Sequence, residues 1–147
     1  MVRWFIKSAL AYLGAGFLLG GILLTYKALA HRAVPAQWVT IHVHLLLVGF
    51  MVQLVMGVGY WMFPRVRDHW FGEQWAAASW ALLNLGLLLR FVSEPYLFGP
   101  WSGAAAPVTA VSALLQVAAG LLFVAGMWPR IKGVLHQQAA SHKDGGG

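Results

Sequence analysis

WVTIHVHLLLVGFMVQLVMGVGYWMF, residues 38–63, decides the fold. The stretch carries no Asp, Glu, Lys or Arg and exceeds the roughly 20 apolar residues that one helical crossing of a bilayer needs. It stops at Pro64-Arg65, the aromatic and basic finish of a membrane interface. Three further apolar runs lie around it, at about 8–29, 74–92 and 107–128, each suited to one crossing and none patterned as a strand. The connections of about eight, ten and fourteen residues make consecutive helices antiparallel neighbours. The predicted fold is therefore an all-α membrane protein, an antiparallel four-transmembrane-helix bundle in one domain (1–136), followed by a flexible polar tail (137–147) that ends in three glycines. The first run is longer than the ~7–15 residue core of a signal peptide, so it is read as an uncleaved helix.

Composition agrees. The chain has 147 residues, 60% hydrophobic and 10% charged, with a mean hydropathy of +0.69, whereas soluble domains are near half apolar and a quarter charged. Four crossings leave no room for a sizeable active site outside the membrane. Ten Lys and Arg against four Asp and Glu give a formal +6, but the basic residues stand at the ends of apolar runs, where they anchor helices to headgroups, so no nucleic-acid partner is expected. Seven of the ten (Arg3, Lys7, Arg65, Arg67, Arg130, Lys132, Lys143) fall on the side of the termini and three (Lys27, Arg32, Arg90) on the other. That asymmetry predicts cytoplasmic termini, and the expected location is the cytoplasmic (inner) membrane of a prokaryote. The chain has no cysteine, so disulfides, thiolate metal sites and thioether-linked haem are excluded, and a metal must use His, carboxylate or Met.

The chemical signal is His42-Val43-His44, a turn or so inside the second span. An imidazole in hydrocarbon needs a partner, which makes the pair a candidate site; the plainer account gives both rings to backbone or water. Residues two apart on a regular helix point about 200° apart, so the two rings cannot hold one ion. Leu46, Gly49, Gln53, Met56 and Tyr60 share the face of His42, and Val48, Met51, Val55 and Met62 that of His44. Gly49, Gly57 and Gly59 leave room for a flat macrocycle or a closely packed helix.

The stretch HVHLLLVGFMVQLVMGVGYWMFPR, His42 to Arg65, resembles the tenth transmembrane helix of subunit I of haem-copper oxidases and nitric oxide reductases. That helix has a His-x-His pair, central glycines and an aromatic ending at a proline; here Pro64 stands twenty-two residues after His42. The resemblance implies that His42 ligates a high-spin haem iron and His44 a low-spin one, in the outer half of the membrane. It implies non-covalent haem b, with Arg90 holding a propionate, although only one arginine stands where the family has an adjacent pair. The whole chain is similar to the family's last four helices. It lacks those that supply the three copper histidines, the opposing low-spin ligand and the active-site tyrosine, so one copy cannot reduce oxygen. Family subunit I is a pseudo-threefold ring of three four-helix arcs, so the resemblance implies a homotrimer resembling the twelve-helix ring, with haems between neighbouring second helices.

Three functional classes follow. A b-type haem protein would serve electron transfer, or oxidoreductase chemistry on O2 or NO if one iron keeps an open position, fed by a donor protein or quinol. Symmetry-related His42 or His44 rings would instead hold copper or zinc. A structural or assembly subunit would need no cofactor. Elsewhere, His31, His69, His136 and His142 are read as solvated, Asp68 and Glu73 as an exposed turn, and Glu94 as a loop-surface residue, with a cation or Arg90 as its alternative partner. Trp101 is read as an interface residue, and Asn84 and Gln116 as helix-stitching polar groups.

Overall fold

The computed structural model describes residues 2–63 and 72–144, and the side chains among them except at 72 and 132–144. Four helices are long and apolar enough to cross a membrane, and no strand occurs among the described residues. They are α1 (Val2–Ala30), α2 (Ala36–Met62), α3 (Gly72–Ser93) and α4 (Ser102–Asp144), with a 3-10 turn, Glu94–Tyr96, after α3. The stop at Pro64-Arg65 and the residues Arg65, Arg67, Asp68 and His69 lie outside the described residues, as do the side chains of Lys132, His136, His142 and Lys143 and all of 145–147.

The helices outrun the apolar runs that reveal them, because hydropathy marks the buried length and not the last hydrogen bond. α1 starts at Val2 and not near Ser8, and α4 at Ser102 ahead of Pro107. The expected end at Pro129 is corrected: α4 runs through it. Pro107 and Pro129 each cancel one i→i−4 bond, to the carbonyls of Gly103 and Ala125, both exposed residues. The backbone of 137–144, expected as a flexible tail, is helical to Asp144, a stretch with Ala, Gln and Lys and no Gly or Pro. Hydroxyls in the apolar helices turn inward on their own backbone: Thr25 donates to Gly21 O and Thr40 to Ala36 O, at 2.8 and 3.0 Å.

Two helical pairs make the molecule. α1 packs chiefly on α2, and α3 on α4, with α2 joining the halves. The α1–α2 seam is a reciprocal fit of glycines and bulky side chains. A Cβ on Gly49 would stand 2.7 Å from Tyr12 Cγ, one on Gly57 2.8 Å from Phe5 Cβ, and one on Gly16 in collision with Leu46. These are the small-residue contacts that let apolar helices approach where no hydrophobic drive separates lipid from protein. Phe5, Met56, Tyr60, Leu83, Leu87 and Met127 form the buried core across both halves.

The centre of α2 is not α-helical. Leu45–Val52 forms a π-helix. Buried positions Ile41, Leu45, Gly49 and Gln53 recur there every four residues, a longer period than 3.6, and the wider turn keeps them on the bundle face. The irregularity begins after His44, so the histidine pair sits in regular helix, Ala36–His44.

Candidate functional site: the histidine pair and its neighbours

His42 turns into the α1–α2 seam. Its Nδ1 lies 3.0 Å from Gly16 O of α1, and its ring covers Gly20, where a Cβ would come within 2.6 Å of Cε1. His44 Nδ1 lies 2.9 Å from Thr40 O, one turn back on α2 itself. A carbonyl oxygen only accepts, so each Nδ1 carries a proton, and in the neutral ring Nε2 keeps its lone pair. An imidazole whose Nδ1–H is tied to a carbonyl has the tautomer and orientation of a ring prepared to ligate through Nε2.

The two rings occupy different surroundings. The faces expected for a regular helix are reset by the π-helix: Gly49 and Gln53 line up with Ile41 and Leu45, and Val43, Leu47, Met51 and Val55 form the exposed stripe, with both half-buried histidines beside it. His42 is seated against α1, whereas His44 bonds only to its own helix. Of the two uses expected for the α2 glycines, a macrocycle or a closely packed helix, the structure shows the second. Tyr12 fills Gly49, Phe5 fills Gly57, and Phe123 of α4 stands 3.3 Å from a Cβ on Gly59.

Of the readings open for Glu94, the structure shows the pairing with Arg90. Arg90 Nε lies 3.3 Å from Glu94 Oε2, one turn apart, and Glu94 is only 5% exposed. Pro95 ends the helix and the 3-10 turn folds the carboxylate inward, so Glu94 is not a loop-surface residue. The atoms are at ion-pair distance but not aligned as a hydrogen bond, and neither has a hydrogen-bond partner among the described residues. Arg90, expected at a haem propionate, is engaged by a carboxylate of its own chain. Trp101 is exposed in the α3–α4 connection.

Three arrangements carried no clear mark in the sequence. Gly16 and Gly20, the seat of His42, stand at small-xxx-small spacing, which was the available signal. Ser8 joins three helices: Gln53 Nε2 of α2 and Trp80 Nε1 of α3 donate to its hydroxyl, which donates to Trp4 O at 2.6 Å. Gln53 is fully buried, and its Oε1 has no partner. Arg130, expected as an exposed anchor, is 7% exposed; its Nη1 donates to Phe63 O at the end of α2, and its guanidinium lies 4.9 Å over the Tyr60 ring. Asn84 donates to Trp80 O and Gln116 to Ser112 Oγ, each within its own helix, so neither stitches two helices through these bonds.

Among the described residues no three His, Cys, Asp or Glu stand together as a metal site. No family model, curated protein or solved structure matches the chain.

Proposed function

We propose that the chain is an integral membrane protein that binds non-covalent haem b through His42 and His44, built like one four-helix arc of haem-copper oxidase subunit I and completed by two further copies. The observation that carries this reading is the state of the two imidazoles. Both donate Nδ1–H to backbone carbonyls, both keep Nε2 for a ligand, and they stand on separate faces of one helix.

The donor set fits haem better at His44 than at His42. His44 borders the uncovered stripe of Val43, Leu47, Met51 and Val55, an apolar surface on which a porphyrin and a neighbouring α2 can lie together. His42 is seated against α1 with Nε2 as well as Cε1 close over Gly20, so a macrocycle there would need the two helices to part. Haem supplies a one-electron couple when bound, and gas binding if one axial position stays open. The chain's own contribution is to fix each ring's tautomer, exclude water with apolar side chains and present an arginine at the same end of the bundle. Arg90 takes up a propionate only by loosening its contact with Glu94. With cytoplasmic termini the pair lies in the outer half of a prokaryotic inner membrane, and a membrane quinol or an external donor protein supplies electrons.

A visible absorption spectrum of the detergent-purified protein is the test. Sharp bands that shift on reduction are expected, and His44→Ala should lose haem while retaining its helix content. A double variant, His42→Ala/His44→Ala, that keeps its full haem complement overturns the assignment.

The cofactor-free reading also has an observation in its favour: both rings are already hydrogen-bonded and the glycines of α2 are filled. It predicts a colourless, metal-free preparation. A copper or zinc site on these histidines would draw on three chains around an axis, since among the described residues no third ligand joins them. It predicts a preparation without haem that contains metal in a ratio of one per three chains.

A further inference from the structure

At the end of α1 opposite the N-terminus, α1 and α2 leave a groove of about 460 Å³. Leu19, Leu23 and Tyr26 line it from α1, Val34 and Pro35 from the connection, and Trp38 from α2. Lys27 stands one turn beyond Leu23 on the same helical face, and Arg32 stands in the connection that supplies Val34 and Pro35. Both are exposed, and neither has an ion-pair partner among the described residues. The chain has no Asp or Glu before Asp68, and Glu94 is held by Arg90. Two basic side chains thus stand beside an apolar slot, with no carboxylate paired to them among the described residues. The negative end of the helix dipole accounts for a cation at the close of α1, but not for the groove beside it.

We propose that this groove holds one anionic phospholipid, its acyl chains against Leu19, Leu23 and Val34 and its headgroup phosphate between Lys27 and Arg32. Basic pockets between membrane helices recognise anionic headgroups by this combination of charge and apolar surface. Tyr26 and Trp38 are the amphipathic side chains that sit at headgroup level. A zwitterionic lipid fills the same slot but brings no net charge, so the site discriminates by charge. The proposal rests on the chain spanning a membrane and is independent of haem.

Native mass spectrometry of the full chain, released from vesicles of equal phosphatidylglycerol and phosphatidylcholine, tests it. One phosphatidylglycerol retained per chain is expected, in preference to phosphatidylcholine. Lys27→Gln and Arg32→Gln should each lower that retention about fivefold, the effect of about 1 kcal/mol per basic residue near a lipid surface. Arg3→Gln, at the opposite end, should leave it unchanged. Leu23→Trp, which fills the slot and keeps both charges, should abolish retention of either lipid. Equal retention of the two lipids overturns the proposal, as does retention that ignores both charge variants. Ile22 also lines the groove, and the chain has no cysteine of its own. An Ile22→Cys variant that forms disulfide-linked dimers in vesicles would show a second copy in the slot and overturn it as well.

Discussion

At the scale of single residues, His42 depends on what α1 lacks. The ring lies where a side chain at Gly20 would be, so Gly20→Ala must shift the imidazole or spread the helices. Overpacking of this kind costs about 1–3 kcal/mol. Thermal unfolding in detergent should show the loss, and adding His42→Ala should recover most of it, because the clash is with that ring alone among the nearest atoms. His31 ends α1 with φ of 50°, a left-handed conformation that glycine adopts without a Cβ penalty. His31→Gly should therefore stabilise the protein by about 0.5–1 kcal/mol in the same measurement. The histidine pair was legible in the sequence because a polar ring is conspicuous in an apolar run. Its carbonyl partner was not, since any residue of α1 offers a backbone oxygen and only docking selects Gly16.

At the scale of elements, the number and order of the helices followed from hydropathy, while their ends and internal winding did not. Nothing in LLLVGFMV separates a π-helix from an α-helix in composition; the distinction arises from packing against α1. Arg130 illustrates the same limit. A basic residue after Pro129 reads as an anchor, yet the continuation of α4 carries it over Tyr60 and onto the last turn of α2. Arg130→Ala should cost about 1–3 kcal/mol, because it removes both the bond to Phe63 O and the contact with the ring face. Arg130→Lys should recover only part of that, lacking the planar fork. Gln53→Leu is expected to change stability by no more than about 1 kcal/mol. It removes one bond to Ser8, but also a buried oxygen that has no donor, and Trp80 still donates to the serine. Denaturant titration of the two variants side by side separates an inter-helix bond whose loss is uncompensated from one whose loss also removes an unpartnered buried oxygen.

At the scale of the whole molecule, α1 and α4 are mostly uncovered, and α2 keeps one exposed stripe beside His44. The four-helix architecture was legible from spacing alone, whereas the proposed ring of copies would depend on which faces remain bare, and hydropathy does not distinguish a face bare to lipid from one bare to a neighbour. If haem lies between copies of α2, light scattering of the detergent complex should give three times the chain mass, and His44→Ala should reduce it to that of one chain. A monomer that binds haem at full stoichiometry would refute the ring. The connection between the first two helices is short, His31 to Pro35, and their glycine-lined seam is made of sequence neighbours. The hairpin that carries both imidazoles can consequently zip shut as it leaves the ribosome, before the third span has been translated, with little loop-closure entropy to overcome.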